Sequence, residues 1–241
     1  MIRTRTDDRV RVVTIDRPER RNALRPEDLR ALRRAVTDAD APVAYLRGAG
    51  DAFCAGADLD AVAALADADG PGGDADAPAS FAREGQRTAA AIAGADAVVV
   101  CGVDGAARGG GVEIALAADV RIATPAATFA EPGVEFGLFG AWGGTVRLPR
   151  VMREGDALDF ALSGRVLDAD EALRTGLVSR VVDDPRAVAD AIATGEPDAL
   201  RAIKRRVRDR RDDATQEDAE VEAFAALVRA HGGEIAASRR E

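Results

Sequence analysis

Three consecutive glycines followed by a glutamate form the stretch with the clearest capacity for chemistry. Gly109–Gly111 run directly into an apolar, helix-forming pattern. Because glycine has no Cβ, its main-chain N–H can approach a substrate closely, and the free N–H groups of a helix start favour negative charge. Glu113 follows Gly110 by three residues, so on a helix both lie on one face. The pattern predicts an anion-stabilising amide and a carboxylate facing one space, or else an acid that is simply favoured in a first helical turn.

A second glycine turn lies earlier in the chain and has a similar character. The segment Phe53–Leu59 gathers small residues around Gly56 just before another helical pattern. Turns of this kind serve either tight packing or close approach to a ligand, and the residues by themselves leave both interpretations open. The strand Val98–Val103, the triple glycine and the helix after it follow the order found in nucleotide-binding units, but neither G-x-G-x-x-G nor G-x-x-x-x-G-K-[ST] is present in this sequence.

The scarcity of histidine and cysteine restricts the catalytic chemistry. The single histidine, His231, lies among polar residues close to the C-terminus, which argues against a Ser-His-Asp or Cys-His centre. Cys54 and Cys101 have neither the number nor the spacing of a metal site or a disulfide framework, so we expect two reduced, buried thiols and no metal. Catalysis in this chain would therefore depend on carboxylates and backbone amides.

The charge balance and hydropathy restrict the class of protein. Forty-two acidic residues face 33 basic ones, and the net charge of −9 argues against general binding to nucleic acids. The acid-rich, lysine-poor composition is similar to that of proteins from salt-loving microbes. No apolar run is long enough to cross a bilayer, and the first residues do not read as a signal peptide. We therefore expect a soluble cytoplasmic protein that binds neither membranes nor nucleic acids.

Strands and helices alternate along the chain, which predicts an α/β fold that positions these groups. At 241 residues and 47% hydrophobic content, the chain can bury a full core. The polar, glycine-rich segment from Asp67 to Asp76 is expected to be an exposed loop. The predicted strands are Val10–Asp16, Val43–Leu46, Val98–Val103, Val120–Ala123 and Val178–Val182. The predicted helices are Pro26–Val36, Ala79–Ala93, Gly144–Met152, Glu154–Leu162, Asp168–Arg174, Pro185–Thr194, Pro197–Arg211 and Thr215–Ala230.

Several spaced motifs together resemble the crotonase, or enoyl-CoA hydratase/isomerase, family over roughly Val10 to Val182. The resemblance implies a spiral of repeated ββα units in a core of residues 1–185. It also implies a C-terminal helical region, 186–241, that assembles homotrimers or homohexamers. The motifs are Asn22–Leu24 after Pro18, Ala52–Leu59, Gly109–Glu113 with Ala118–Ala123, Phe129 with Pro132, Gly143–Thr145 and Gly176–Val178.

The resemblance also implies the chemistry and the residues that perform it. The family's shared reaction step is stabilisation of a thioester enolate by two backbone amides, which match Ala57 and Gly110 here. Glu113 matches a catalytic acid/base group. Acyl-CoA is the implied substrate and carries coenzyme A within itself, so no separate cofactor is expected. The residues expected to contact substrate are Ala55, Gly56, Asp58, Leu59, Gly109, Gly133 and Arg21.

One departure from the family affects the expected reaction. Hydratases of the family carry a second carboxylate where this chain has Gly133. Glu131 and Glu135 flank that position, and in an extended segment they would share its side, so either one reaches inward or both face solvent. A glycine at this position, followed by the glycine-rich pattern that includes Gly137, Gly140 and Trp142, is also similar to the naphthoyl-CoA synthase branch, in which a small bound anion can replace the missing carboxylate. Gly133 would leave room for such an anion or for a water.

The expected function is reversible hydration of a 2-enoyl-CoA. Three alternatives use one glutamate for isomerisation, decarboxylation or hydrolysis of an acyl-CoA, and a fourth is a non-catalytic acyl-CoA-binding homologue. Asp60 stands where the family often places a basic residue near the phosphates of coenzyme A. Arg20, Arg21 and Arg25, or Lys204–Arg206 of a neighbouring subunit, would replace it unless they are solvated surface groups.

Overall fold

Two sheets organise the chain in the computed structural model, which describes residues 1–67 and 76–238. The strands are Ile2–Asp7 (β1), Val10–Ile15 (β2), Val43–Gly48 (β3), Ala52–Cys54 (β4), Val98–Val103 (β5), Ala106–Arg108 (β6), Val120–Ala123 (β7), Thr128–Ala130 (β8), Leu167–Asp168 (β9) and Arg180–Val181 (β10). The larger sheet has the order β1-β2-β3-β5-β7-β10, and the smaller sheet has the order β4-β6-β8-β9.

Helices cover the sheets and make up the C-terminal part of the described chain. Two short 3-10 turns occur in addition, at Pro18–Arg20 and Pro132–Phe136. The α-helices are Pro26–Thr37 (α1), Leu59–Asp67 (α2), Ala77–Gly94 (α3), Gly110–Ala117 (α4), Gly144–Val151 (α5), Glu154–Ser163 (α6), Ala169–Thr175 (α7), Pro185–Ala193 (α8), Pro197–Val207 (α9) and Asp213–Ser238 (α10).

The order of the strands confirms the predicted spiral of ββα units. In the pairs β3/β4, β5/β6 and β7/β8, the first strand lies in the larger sheet and the second in the smaller one. β3, β5 and β7 are parallel neighbours, and so are β4, β6 and β8. Helices α2 and α3 follow β4, and α4 follows β6. Because the units repeat in parallel, the carboxyl ends of β4 and β6 lie at the same edge of the smaller sheet.

The central strands of the larger sheet are buried on both faces, which explains why β5 is continuously apolar. Parallel strands covered by helices on each side are typically uninterrupted runs of small and branched residues. Successive side chains point to opposite faces of a strand. Val99 and Cys101 accordingly pack in the main core with α1, α3 and α4, whereas Val98 and Val100 pack in a second core beside Val188 of α8.

The predicted elements agree with the structure except in short or polar segments. The sequence does not predict β1, the three-residue strands β4, β6 and β8, or the two-residue strand β9. The predicted strand Val178–Val182 contains only the two-residue β10, and the last helix is longer than predicted at both ends. The predicted loop at Asp67–Asp76 falls mainly on residues 68–75, outside the described residues. The division at residue 185 stays a prediction, with α8 packed against β3 and β5.

Both cysteines are free and buried, as expected. Burial raises the pKa of Cys54 to about 12 and also raises that of Cys101. Within residues 1–67 and 76–238, no group of three or more acidic, histidine or cysteine side chains is arranged to hold a metal ion. None of the helices in those ranges is long and apolar enough to cross a lipid bilayer.

Candidate active site

A cavity of about 300 Å³ lies where the two glycine turns meet. Its walls come from the loop after β4, the start of α4, helix α3 and the segment between β8 and α5. Phe81, Phe136, Phe139 and Trp142 make much of the wall apolar. Seven of the predicted site residues line it: Ala55, Ala57, Leu59, Gly109, Gly110, Glu113 and Gly133.

The amides of Ala57 and Gly110 are brought together by paired strands and glycine turns. Ala57 follows Gly56 at φ +86°, and Gly110 follows Gly109 at φ +47°, conformations that favour glycine. A Cβ on Gly56 would lie 2.9 Å from the Gly110 nitrogen, so the two turns are in direct contact. Between described residues, neither the Ala57 nor the Gly110 N–H donates a hydrogen bond. Both donors line the cavity and are free to bind a ligand oxygen.

The turn that carries Ala57 is fixed by the segment Asn22–Leu24. The Leu24 N–H donates to the Gly56 carbonyl at 2.7 Å, and the Asp58 N–H donates to the Leu24 carbonyl at 3.0 Å. The fully buried Asn22 side chain donates to two carbonyls, one in the turn before β4 and one at the first residue of β4. Sequence reasoning identified this segment only as a family motif. Its role is to hold the backbone that presents the Ala57 amide.

Glu113 is buried in α4, and its carboxylate is held by the start of α5. Its Oε1 accepts hydrogen bonds from the N–H groups of Trp142 at 2.8 Å and Gly144 at 2.6 Å. A Cβ on Gly140 or Gly144 would lie 2.9 Å from the Glu113 side chain, so only glycine leaves space there. Burial raises the pKa of Glu113 to about 7, and the two backbone hydrogen bonds act against that rise.

Glu131 is a second buried carboxyl in the same cavity. Its residue is only 6% exposed, and its Oε1 has no hydrogen-bond partner among the described residues. Burial, and then the negative charge of the nearby Glu113, raise the pKa of Glu131 to about 8. Glu135 is exposed instead, because Pro132–Phe136 forms a 3-10 turn, so alternate residues do not share one side as they would in a strand. Of the two acids that the sequence left open, Glu131 is therefore the one at the cavity.

Gly133 lines the cavity, but little space adjoins it on the protein side. A Cβ there would meet the Leu138 carbonyl oxygen at 3.0 Å and the Phe139 Cα at 3.3 Å. A larger residue would require the backbone of the following segment to move. The family's usual position for the second carboxylate is thus tightly packed in this chain.

Trp142 is a site residue whose role the sequence did not reveal. Its indole is almost fully buried between Gly85 of α3 and Gly110 of α4, and a Cβ on either glycine would overlap the ring. Phe81 packs edge-on against it at a centroid distance of 5.7 Å. Since the backbone N–H of Trp142 donates a hydrogen bond to Glu113, this packing of the indole also positions the carboxylate.

Three of the predicted contact residues are not part of the cavity lining. Gly56 supplies the turn before Ala57. Asp58 is 2% exposed, forms an ion pair with Arg17 at 2.5 Å and accepts the Asp60 N–H at 3.0 Å, so it stabilises the start of α2. Arg21 is exposed, and its carbonyl accepts the Ala55 N–H at 2.9 Å.

Arg21 also differs from the other basic residues considered for coenzyme A. Its guanidinium has no ion pair or hydrogen bond within the described part of the chain. The remaining candidates are all engaged with acids: Arg20 with Asp60, Arg25 with Asp28, Lys204 with Asp119, Arg205 with Asp96 and Arg206 with Asp209.

Comparison with known proteins gives consistent similarities. The model of the enoyl-CoA hydratase/isomerase family matches residues 5–231. The probable enoyl-CoA hydratase echA8 of Mycobacterium tuberculosis is 34% identical over 169 residues, which make up 68% of this chain and 62% of that protein. The crotonyl-CoA hydratase of Syntrophomonas wolfei is 35% identical over 170 residues, again 68% and 62% of the two chains. The matched region thus spans less than two thirds of these curated relatives.

Solved structures resemble the fold over nearly its whole length. An enoyl-CoA hydratase from Thermoplasma volcanium superposes with a TM-score of 0.86 at 30% identity, covering 95% of this chain and 92% of that one. An enoyl-CoA hydratase from Bacillus anthracis gives a TM-score of 0.87 at 26% identity, covering 99% and 96% of the two chains.

Proposed function

The chain belongs to the enoyl-CoA hydratase/isomerase family, and on that basis we propose that it is an acyl-CoA-processing enzyme whose main reaction is reversible addition of water to a 2-enoyl-CoA. The observation that carries the proposal is the meeting, in one cavity, of two unpaired backbone amides and a buried carboxylate. These belong to Ala57, Gly110 and Glu113.

The two amides stabilise the charge that the reaction creates. The N–H groups of Ala57 and Gly110 donate to the thioester carbonyl oxygen, which becomes negative as a nucleophile adds to Cβ. Donors that are fixed before the reaction lower its barrier without further reorganisation, and each contributes roughly 3–4 kcal/mol. Gly110 is also the first residue of α4, where the positive end of the helix dipole favours the same charge.

Glu113 acts as the acid/base group. A carboxyl with a pKa of about 7 exchanges protons readily at neutral pH, and such transfer typically accelerates a reaction by ~10²–10⁴-fold. Its hydrogen bonds to the start of α5 fix the carboxylate against the cavity. A water or a small anion beside Gly133 completes the arrangement.

The walls of the cavity suit an acyl chain, and its edge suits coenzyme A. Phe81, Phe136 and Phe139 offer apolar surface to the chain. The unpaired Arg21 beside the Ala55 turn is the group we assign to a phosphate of coenzyme A, because a guanidinium can bind phosphate oxygens through two parallel hydrogen bonds. Coenzyme A is part of the substrate, and we propose no other cofactor.

Crotonyl-CoA hydration by the full chain tests this function. Loss of the conjugated thioester absorbance measures turnover, and we expect Glu113→Gln to lower it by at least ~10²-fold while acyl-CoA binding persists. Equal turnover in the variant would contradict the role of Glu113. Conversion of 3-enoyl- or malonyl-CoA without hydration would indicate isomerisation or decarboxylation by one glutamate. Binding without turnover of any ester would indicate a non-catalytic homologue.

We further propose that the enzyme assembles as a homotrimer or homohexamer. Helices α9 and α10 leave several large apolar side chains exposed, a property typical of surfaces that are covered by another subunit. These residues are Ile203, Val207, Val221, Phe224 and Val228.

A further inference from the structure

We propose that Glu131 is the second catalytic carboxyl of this enzyme, acting as the acid that protonates Cα while Glu113 acts as the base towards water. The proposal rests on the proposed hydratase function. In this chain Glu131 would take the role of the carboxylate that is absent at Gly133, two residues later.

The first support is the exposure and hydrogen bonding of Glu131. Buried polar atoms in proteins nearly always have a partner, and an exception calls for an explanation. Glu131 is 6% exposed, lines the cavity with Glu113, and its Oε1 has no partner among the described residues. Burying such a group without a partner costs free energy. A ligand in the cavity is the partner that this geometry provides for.

The second support is the different surroundings of the two carboxyls. Glu113 accepts two backbone N–H bonds at the start of α5, and Arg147 of the same helix adds a positive charge nearby, so its ionised form is stabilised. Glu131 receives no donor from the described residues and lies close to the negative Glu113. The ionised form of Glu131 is therefore disfavoured, and one proton on the pair resides there.

These surroundings define a balanced reaction. Glu113 takes a proton from water as the water oxygen bonds to Cβ. The π electrons of the double bond move towards the thioester, whose carbonyl oxygen is held by the amides of Ala57 and Gly110. The Glu131 hydroxyl then gives its proton to Cα. One water is added, Glu113 ends protonated and Glu131 ionised, and transfer of a proton between them restores the starting state.

The same charges argue for water rather than an anion beside Gly133. A small anion placed there would face the ionised Glu113, and like charges in a buried space repel strongly. A neutral water accepts a hydrogen bond from one carboxyl and donates to the other. Glu131 thus supplies the proton donor that an anion would otherwise have to replace.

The decisive variant is Glu131→Gln in the full chain, with Glu135→Gln as its matched control. Glu135 lies in the same segment but is exposed outside the cavity. With crotonyl-CoA we expect Glu131→Gln to lower kcat by about 10²–10⁴-fold with little change in KM, and Glu135→Gln to behave as wild type. Glu131→Asp keeps the acid but shortens its reach, and we expect intermediate activity.

A second measurement separates the two roles. Butyryl-CoA cannot be hydrated, so exchange of its Cα hydrogens in D₂O, in which the ionised form of Glu131 removes a Cα proton and returns a deuteron, reports proton transfer at Cα alone. We expect Glu131→Gln to lose this exchange and Glu113→Gln to keep it. Three results would overturn the role of Glu131 and leave the hydratase function standing. They are a hydration rate in Glu131→Gln equal to that of the wild type, a loss of exchange in Glu113→Gln but not in Glu131→Gln, and stimulation of wild-type hydration by bicarbonate. Absence of both hydration and exchange from the wild type would overturn both proposals.

Discussion

Glu113 and Glu131 are both buried at the cavity, but the protein backbone treats them differently. Glu113 is bound by amides at the start of α5, whereas Glu131 has no donor among the described residues. In the folded protein, ionisation of Glu131 therefore requires more free energy than ionisation of Glu113. Carboxyl groups with strongly raised pKa values of this kind are concentrated at functional sites such as catalytic centres.

This difference predicts a pH dependence of stability. The pKa of Glu131, raised from 4.5 to about 8, means that between those values the folded state holds a proton that the unfolded state has released. Stability from this group is complete below about pH 4 and is lost as the pH rises towards 8. Because Glu131→Gln cannot ionise, its melting temperature relative to wild type should be higher at pH 8.5 than at pH 5.5.

Thermal unfolding at the two pH values measures the effect. Glu113, with a pKa raised to about 7, changes stability in the same direction in both proteins, so the difference between them reports Glu131 together with its coupling to Glu113. A tenfold change in proton affinity is worth about 1.4 kcal/mol. Glu135→Gln should follow the wild type at both values. A constant difference between Glu131→Gln and wild type would contradict a raised pKa for Glu131.

The sequence predicted these residues unequally. The sequence predicts Glu113 and Gly110 because a glycine run, a helix start and a three-residue spacing place them on the same face of one helix. The sequence does not distinguish Glu131 from Glu135, because the choice between them depends on whether the segment is extended or a 3-10 turn. The residues alone do not determine that conformation, and the structure has the turn at Pro132–Phe136.

At the scale of elements, Trp142 connects the parts of the site. Its indole lies between α3 and α4, and its backbone N–H holds Glu113. The two glycines that contact the indole, Gly85 and Gly110, leave no space for a side chain. Helix α3 therefore influences the carboxylate although Gly85 does not line the cavity.

This arrangement predicts an effect of Gly85→Ala on catalysis. The added methyl would overlap the indole and shift Trp142, so we expect a loss of about 1–3 kcal/mol of stability and a lower kcat. Gly94→Ala in the same helix is the control, because a Cβ there meets nothing within 4 Å. Urea unfolding and crotonyl-CoA hydration measure both quantities. Unchanged activity in Gly85→Ala would show that Trp142 does not transmit the change to Glu113.

The elements that the sequence missed share a physical reason. β4, β6 and β8 have three residues each, too few to show an alternating pattern. β1 is an edge strand whose four central residues are exposed, so it lacks an apolar face. The long buried strands β3 and β5 were predicted because burial on both faces demands a continuous apolar run.

At the scale of the whole molecule, the last helix has an apolar side that the described chain does not cover. Val221, Phe224 and Val228 recur at helical spacing on α10 and are 69%, 70% and 43% exposed. Residues spaced by three and four lie on one face of a helix. Such a stripe on the surface is typical of an interface between subunits.

We expect Phe224→Asp to disrupt the proposed oligomer. A charge in the centre of the stripe would have to be desolvated at the interface, so the population should shift towards monomer. Sedimentation velocity measures the change. Arg229→Asp places the same negative charge on a different side of α10 and should leave the assembly intact. A wild-type protein that sediments as a monomer, or equal effects of both variants, would contradict an interface on this stripe.

Both thiols of the chain lie buried in the core, with pKa values well above the physiological range. The thiolate is the form that oxidants and alkylating reagents attack, and it is essentially absent here. The proposed chemistry uses only peptide groups and carboxyls, which are insensitive to peroxide. Oxidants that inactivate enzymes dependent on a reactive cysteine should therefore leave the proposed catalytic groups of this chain intact.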